Sequence, residues 1–237
     1  MTTNDPQYDS SPSEDRPIPS EVVLFGVGSS FVVEYEETCL RLGVNIVAYV
    51  RNSEDPVVAS DISRIMTLEE MAPEWMLKPV AFPLVTPGYR KNVFDQAVKC
   101  GFARFPALVD PTSILASTTQ IGRGTFINAG CTIGASCTIG EFVLVNRHAS
   151  LAHHVTVCDY ASIGPGVITS GRVYIGTGAF IGTGAVLLPD ISVGANSVVA
   201  AGAVVTTDVA ENSLVAGNPA RVIKTGIPGH NNSGVQG

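Results

Sequence analysis

Every sixth residue from Val109 to Val205 is aliphatic, with one exception. The series runs Val109, Leu115, Ile121, Ile127, Ile133, Ile139, Val145, Leu151, Val157, Ile163, Thr169, Ile175, Ile181, Leu187, Val193, Val199 and Val205, with no residue inserted or skipped. Helices and ordinary strands repeat their side-chain directions about every 3.6 and 2 residues, so neither produces this pattern. A period of six sustained over 96 residues predicts a hexapeptide parallel β-helix. Three short strands then complete one triangular coil, and each marked residue points into the prism. At 18 residues per coil the run makes about five coils. With ~4.8 Å between stacked strands, the prism is about 26 Å long.

The residue after the inward one is often glycine (Gly122, Gly134, Gly140, Gly164, Gly176, Gly182, Gly194), and Asn128 and Asn146 take the same place. This predicts positive φ at the prism corners, which Gly and Asn tolerate best. Four residues after the inward one, small residues recur, Cys131 and Cys137 among them. They read as buried, inert thiols. Thr169 is the exception in the series. Either its hydroxyl bonds the backbone of an adjacent coil, or the polar stretch Thr169 to Arg172 opens a surface where a ligand meets main-chain amides.

The pattern before residue 105 is different. Val22 to Phe25 is a short apolar run, Gly26 to Ser30 a turn, and Phe31 to Leu42 has helical spacing ended by Gly43. Val44 to Val50 is a β-branched strand, and Pro79 to Val85 is a third apolar run. Pro87 to about Cys100 reads as a helix, with Pro at its start and Gly101 past its end. The predicted organisation is a disordered tail over 1–20, a small Rossmann-like α/β domain over 21–105, the parallel β-helix over 106–224, and a second disordered tail over 225–237.

Composition narrows the function. An apolar fraction of 45% with 15% charged residues argues against global disorder. The net charge of −7 gives no basic footprint for nucleic acid. No apolar run approaches the roughly 18–20 residues of a membrane span. Met1 to Ser20 is polar and lacks the basic start of a secretory or transit signal. Five cysteines without paired spacing argue against a disulfide framework. These features together predict a cytoplasmic protein.

The candidate chemistry lies in the histidines. Three of the four cluster, at His148, His153 and His154. His153 follows inward Leu151 by two residues, which places it outside the packed interior. An imidazole there is either an ordinary solvated side chain or a general base working near neutral pH. In the first domain, Gly26-x-Gly28 follows a strand and precedes a helix, but Phe31 stands at the third glycine position, so the dinucleotide fingerprint is incomplete. Either this unit only packs, or Gly28, Ser29 and Ser30 bind an acceptor. Arg51, at the end of the second strand, cannot accept a hydrogen bond from a ribose hydroxyl but can pair with a phosphate.

Asn146-Arg147-His148-Ala149-Ser150-Leu151-Ala152-His153-His154-Val155, followed by Asp159 to Gly166, resembles the active-site turn of the hexapeptide acyltransferases. Val198 to Lys224, with Ala216-Gly217-Asn218-Pro219-Ala220-Arg221-Val222-Ile223, resembles the end of that superfamily. With the first domain added, residues 21 to 224 are similar to bacterial sugar acetyltransferases of the sialic-acid O-acetyltransferase and nucleotide-amino-sugar N-acetyltransferase group. The resemblance implies a left-handed coil, acetyl-CoA as co-substrate, no metal, and a homotrimer with sites between subunits. His153 matches the catalytic base. Gly171 matches the position whose backbone N–H faces the developing oxyanion. Asn146 matches a residue near the acceptor sugar, and the turn at Gly28 to Ser30 matches one that holds a nucleotide-sugar. Thr183 and Ala201 match positions along the coenzyme groove, with Ser162 and Gly171 at its acetyl end.

The chain departs from the family twice. An acidic residue usually follows the catalytic histidine, and here it is His154. A second histidine is frequent at the position of Ser162, which leaves Ser162 as the contact to acetyl carbonyl or acceptor. Either the substrate differs, or a carboxylate such as Asp159 or Glu141 orients His153, or His154 is itself the base. Arg147, Arg172, Arg221 and Lys224 are available to anionic ligands.

The expected activity is acyl-CoA-dependent transfer, acetyl foremost, to an amine or hydroxyl of a nucleotide-linked sugar. Two readings compete with it. A catalytically decayed trimeric scaffold is one. The other is a metal hydratase of the γ-carbonic-anhydrase type, for which the spacing of His148 and His153 is suitable. That site needs a third ligand from an earlier coil, and no histidine precedes His148.

Overall fold

A computed structural model describes residues 18–54 and 56–236. The expected N-terminal tail lies outside them, apart from residues 18–20. The first domain is built on β1 (Glu21–Phe25), β2 (Asn45–Arg51), β3 (Ile65–Thr67) and β4 (Val80–Ala81), which form one parallel sheet in the order β3-β2-β1-β4. Helix α1 (Val32–Leu42) joins β1 to β2 and ends at Gly43, whose φ of 71° lets its N–H turn back onto Cys39 and Leu40. Helix α2 (Pro87–Lys99) opens on proline and is followed by Gly101 at φ 100°. The apolar run 79–85 yields only the two residues of β4, while β3 had no counterpart in the sequence pattern.

From Leu108 the chain winds as a prism. Residues 18 apart pair in parallel, as in Leu144↔Phe126 and Leu144↔Ser162. The strands fall into sheets of eight, six and five, one per face. The inward residues from Ile127 to Val205 form one buried cluster, with Val109, Leu115 and Ile121 packed at its open end. Thr169 remains in this stack at 2% exposure, paired with Leu151 and Leu187. Its Oγ1 accepts a hydrogen bond from Ala152 N–H at 3.3 Å. The break in the series is therefore a satisfied hydroxyl bonded to the adjacent coil.

The glycines that follow the inward residues are there for a reason other than positive φ. The left-handed backbone falls two residues further on, at Gly124, Phe142, His148, His154, Tyr160 and Arg172 among others. What Gly122 and its equivalents need is room. A Cβ on Gly122 would lie 2.5 Å from the backbone of Gly140, and one on Gly176 would lie 2.7 Å from Ala195 N. Asn128 and Asn146 are buried there, each accepting the next residue's N–H at 2.8 Å.

The first domain sits on one face of the prism and on one of its three edges. Tyr35 of α1 stacks on Phe126 at 3.8 Å between centroids. Arg41 and Thr38 hold buried Asp110 at 2.7 and 2.9 Å. Burial alone would raise the Asp110 carboxyl, but hydrogen bonds from Thr112, Arg41 and Thr38 hold it below the usual carboxylate range. Helix α2 covers the edge at Phe142 and Tyr160, whose rings stack at 5.2 Å. Arg90, 1% exposed, crosses this junction. Its guanidinium donates to the carbonyls of Phe142, Leu84, Tyr160 and Ala161 and to Ser162 Oγ, at 2.6 to 3.1 Å. Burial lowers Arg90 to about 10, well above neutrality, so the cation persists.

The segment expected to be a second tail is packed. The His230 ring stacks on Phe180 at 3.6 Å. Asn231 donates to Thr86 Oγ1 at 2.9 Å, and Asn196 brackets Val235 through hydrogen bonds of 3.0 and 2.8 Å. Val235 is buried against the cluster that holds Phe142 and Tyr160. The polar composition of this stretch reads as a tail because its partners are distant in the sequence.

Candidate active site

Three edges run along the prism, and the expected site residues are divided among them and the first domain. One edge carries His153 and His154, both exposed. Their Nδ1 atoms are 3.0 Å apart and their rings meet edge to face. Gly171 lies one coil further on, directly against the His153 ring. A Cβ there would be 2.4 Å from His153 Cε1. The Gly171 N–H donates to no acceptor among the described residues. This edge therefore joins an exposed imidazole to an unused main-chain donor.

The next edge carries Asn146, Arg147 and His148, with Thr183 two coils along. Together with Phe31 and Glu34 of the first domain, Pro165, Gly166 and Gly184, they line an open cavity of about 660 Å³. Glu34 pairs with Arg147 and accepts from Asn128 Nδ2, and the same amide reaches Asn146 Oδ1 at 3.1 Å. Phe31 and Glu34 were missed as site residues, and His148 was weighed only within the histidine cluster and as a metal ligand. The acid in the first turn of α1 was visible in the sequence, but nothing there says that it faces Arg147. Ala201 follows Thr183 in the same column and is exposed.

A second cavity, about 280 Å³, lies at the carboxyl ends of β1 and β4. It is lined by Gly26, Gly28, Ser29, Ser53, Leu84, Val85, Thr86 and Tyr89. Ser29 Oγ accepts Phe31 N–H and so closes the turn. Ser30 is exposed beside the cavity and does not line it. Arg51 lies elsewhere, in an adjoining groove with Thr67, Leu68 and Glu69. Its guanidinium donates to the carbonyls of Ser53 and Glu54 at 2.8 and 2.9 Å. Only Ser53 lines both spaces.

Three expectations need correction. Ser162 is 1% exposed, and its hydroxyl is shared between Val85 O at 2.7 Å and Arg90 Nη2 at 3.0 Å. It is a junction residue, closed to a coenzyme or an acceptor. Asp159 and Glu141 stand on the Phe142 edge, a different edge from His153. Asp159 accepts Glu141 N–H at 2.8 Å, and Glu141 pairs with Arg123. His148 and His153 also stand on different edges, so one chain cannot bring them to a common metal. Among the described residues no three His, Cys, Asp or Glu converge as metal ligands. Burial pushes the Cys131 thiol up to about 11 and raises that of Cys137, so both remain unreactive.

No helix among the described residues is long and apolar enough to cross a membrane. A family model described as bacterial transferase hexapeptide (six repeats) matches residues 172–207. A search of curated proteins finds no match. A variant of perosamine N-acetyltransferase from Caulobacter crescentus, in complex with CoA and GDP-perosamine, is 25% identical with a TM-score of 0.74. The alignment covers 88% of this chain and 98% of that one. The acetyltransferase domain of PglB from Neisseria gonorrhoeae is 25% identical with a TM-score of 0.76, covering 86% and 100%. WeeI from Acinetobacter baumannii shares the fold at 22% identity and a TM-score of 0.72, covering 87% and 100%. In its repeat and its two-part architecture the chain resembles the bacterial sugar acetyltransferases, and these matches support an acyltransferase.

Proposed function

We propose that the chain transfers an acyl group, acetyl foremost, from acyl-CoA to an amine or hydroxyl of a nucleotide-linked sugar. The observation that carries this reading is the exposed His153 ring resting on Gly171, whose N–H is unbonded. His153 Nε2 takes the acceptor's proton as the nitrogen or oxygen attacks the thioester carbonyl. The charge that develops on the carbonyl oxygen faces the Gly171 N–H, a fixed donor with no competing partner. Collapse forms the amide or ester and expels the coenzyme thiolate, which takes the proton from His153.

The remaining cavities supply the binding. Ligands of open parallel sheets bind beyond the carboxyl ends of the strands, where Gly28 and Ser29 lie. Main-chain amides of that turn and the N-terminus of α2 suit a diphosphate. Asn146 and Thr183 share the larger cavity, which suits the sugar and the coenzyme arm. The His153 edge is separated from the Asn146 edge by a whole prism face, at most about 20 Å of extended chain. One chain thus holds the base on one edge and the sugar-nucleotide cavities on the other side of that face. A homotrimer places the His153 edge of one copy beside the Asn146 edge of the next and completes the site. CoA and GDP-perosamine bound to the similar Caulobacter enzyme support a nucleotide sugar as acceptor class. The cytoplasm, where acyl-CoA and nucleotide sugars are made, is the proposed location.

The test is a thiol-release assay with acetyl-CoA and a panel of UDP-, GDP- and CMP-amino sugars. His153→Ala is expected to lower kcat about 10²–10⁴-fold while acetyl-CoA still raises the melting temperature. Full turnover in that variant would move the base elsewhere. A chain that never binds the coenzyme is the decayed scaffold instead.

A further inference from the structure

The polar partner of the His153 ring among the described residues is a second imidazole. Its Nδ1 meets His154 Nδ1 at 3.0 Å. A neutral imidazole carries one N–H and one bare nitrogen. Two Nδ1 atoms at this distance make a hydrogen bond only when one holds a proton and the other does not. The backbone that carries both rings is held in place. His154 has φ 59°, and its N–H donates to Ala135 O at 2.9 Å. The His153 carbonyl accepts Arg172 N–H at 3.0 Å from the next coil. Gly171 fills the space beneath the His153 ring with backbone alone.

We propose that His154 is a positioning residue: its Nδ1 accepts the Nδ1–H of His153 and so fixes the tautomer whose bare Nε2 faces the acceptor. This inference rests on the reading of His153 as the base. The opposite arrangement, with His154 as donor, leaves the His153 proton on Nε2 and provides no base. During transfer, His153 Nε2 gains the acceptor's proton and the ring becomes an imidazolium. Its Nδ1–H bond to His154 is then charge-assisted and stronger than in the resting state. The proton leaves Nε2 with the coenzyme thiolate, which restores the starting tautomer, and His154 neither gains nor loses a proton over the cycle.

A neutral partner has a consequence that a carboxylate would not. It orients the ring without adding a negative charge beside the imidazolium. The charged groups on the same edge do not change this. Arg172 and Asp190 occupy the two following coils and pair with each other at 2.5 and 2.8 Å. On the preceding coil the edge holds Ala135 and Ser136.

The experiment has two arms. In the full chain without substrate, nitrogen-15 NMR of the histidines reads which nitrogen of His153 is protonated. Nδ1 is expected in the native chain, with the proton shifting to Nε2 in His154→Ala. In the second arm, kcat/KM is followed against pH. His154→Ala is expected to lower kcat about tenfold or more with KM for acetyl-CoA unchanged. His154→Asn keeps an acceptor and tolerates the left-handed backbone, so it restores most of the rate. His154→Glu also keeps an acceptor and restores most of the rate. A His153 proton on Nε2 in the native chain overturns the proposal, and so does an alanine variant with native turnover. An asparagine variant as inactive as the alanine one also overturns it, because His154 is then the base. If the tautomer is as expected but His153→Ala keeps its turnover, the base reading fails, and the role of His154 falls with it.

Discussion

Two edges of the prism share one backbone and differ in everything else. Phe142 and Tyr160 occupy the left-handed position of one edge, at φ 51° and 58°. His154 and Arg172 occupy the same position of another, both at φ 59°. On the first edge the rings stack on each other, meet Phe94 at an angle and are closed over by α2. Burial holds the Tyr160 phenol well above its usual range. On the second edge the side chains meet solvent, and the contacts they make are polar. The repeat therefore sets only the frame. The residue placed at the outer corner decides whether an edge becomes a domain junction or a reactive surface. Aromatic area buried at the junction contributes stability, whereas an imidazole without a cover keeps its access to a second molecule.

Arg90→Ala breaks the buried edge and should have the largest effect. It leaves the carbonyls of Phe142, Tyr160 and Ala161 and the Ser162 hydroxyl short of a donor, and it opens a cavity between the domains. A loss of about 4 kcal/mol in urea unfolding is expected. A loss under 1 kcal/mol would mean that the junction contributes little.

Gly171→Ala probes the open edge, where function and stability should separate. The new methyl pushes the exposed His153 ring aside, a small disturbance to folding. Transfer should nevertheless fall about a hundredfold, because the base leaves its place. Unchanged kcat would show that the ring's seat on Gly171 is not used.

The smallest effect concerns the cover of the buried edge. Burial holds His230 below its ordinary 6.5. The unfolded chain then binds the proton more readily than the folded one. Stability from this residue is complete above pH 6.5 and declines as pH falls below it. Hydrogen-exchange protection factors, corrected for the intrinsic rate, should fall in residues 227–236 between pH 7 and 5, and His230→Phe should remove that dependence. Protection independent of pH in the native chain would contradict the assignment.

Much of this was legible in the residues themselves. The six-residue period fixed which side chain of each strand enters the prism, because a register without insertions repeats one local condition coil after coil. Gly43 and Gly101 marked helix ends for a similarly local reason. The exposure of His153 followed from its offset of two from Leu151.

The misreadings share a cause. Arg90 drew no reading from the sequence, since most of its partners are carbonyls and carbonyls leave no trace there. Ser162 sits at a family position for a ligand contact, yet the first domain closes over it. Asp159 is near His153 in sequence but on another edge in space. The glycines after the inward residues signal close approach by the next coil, and a sequence cannot distinguish that from a need for positive φ. The stretch 227–236 acquires its packing from Phe180, Thr86, Asn196 and Asn212, all outside it in the sequence.

The sequence by itself thus determined the coil, its register and β1, β2 and both helices of the first domain, all set by side-chain spacing along the chain. The tertiary structure alone decided which edge is sealed and which imidazole rests on Gly171. Those depend on the approach of groups 18 or more residues apart, and no local preference encodes that distance.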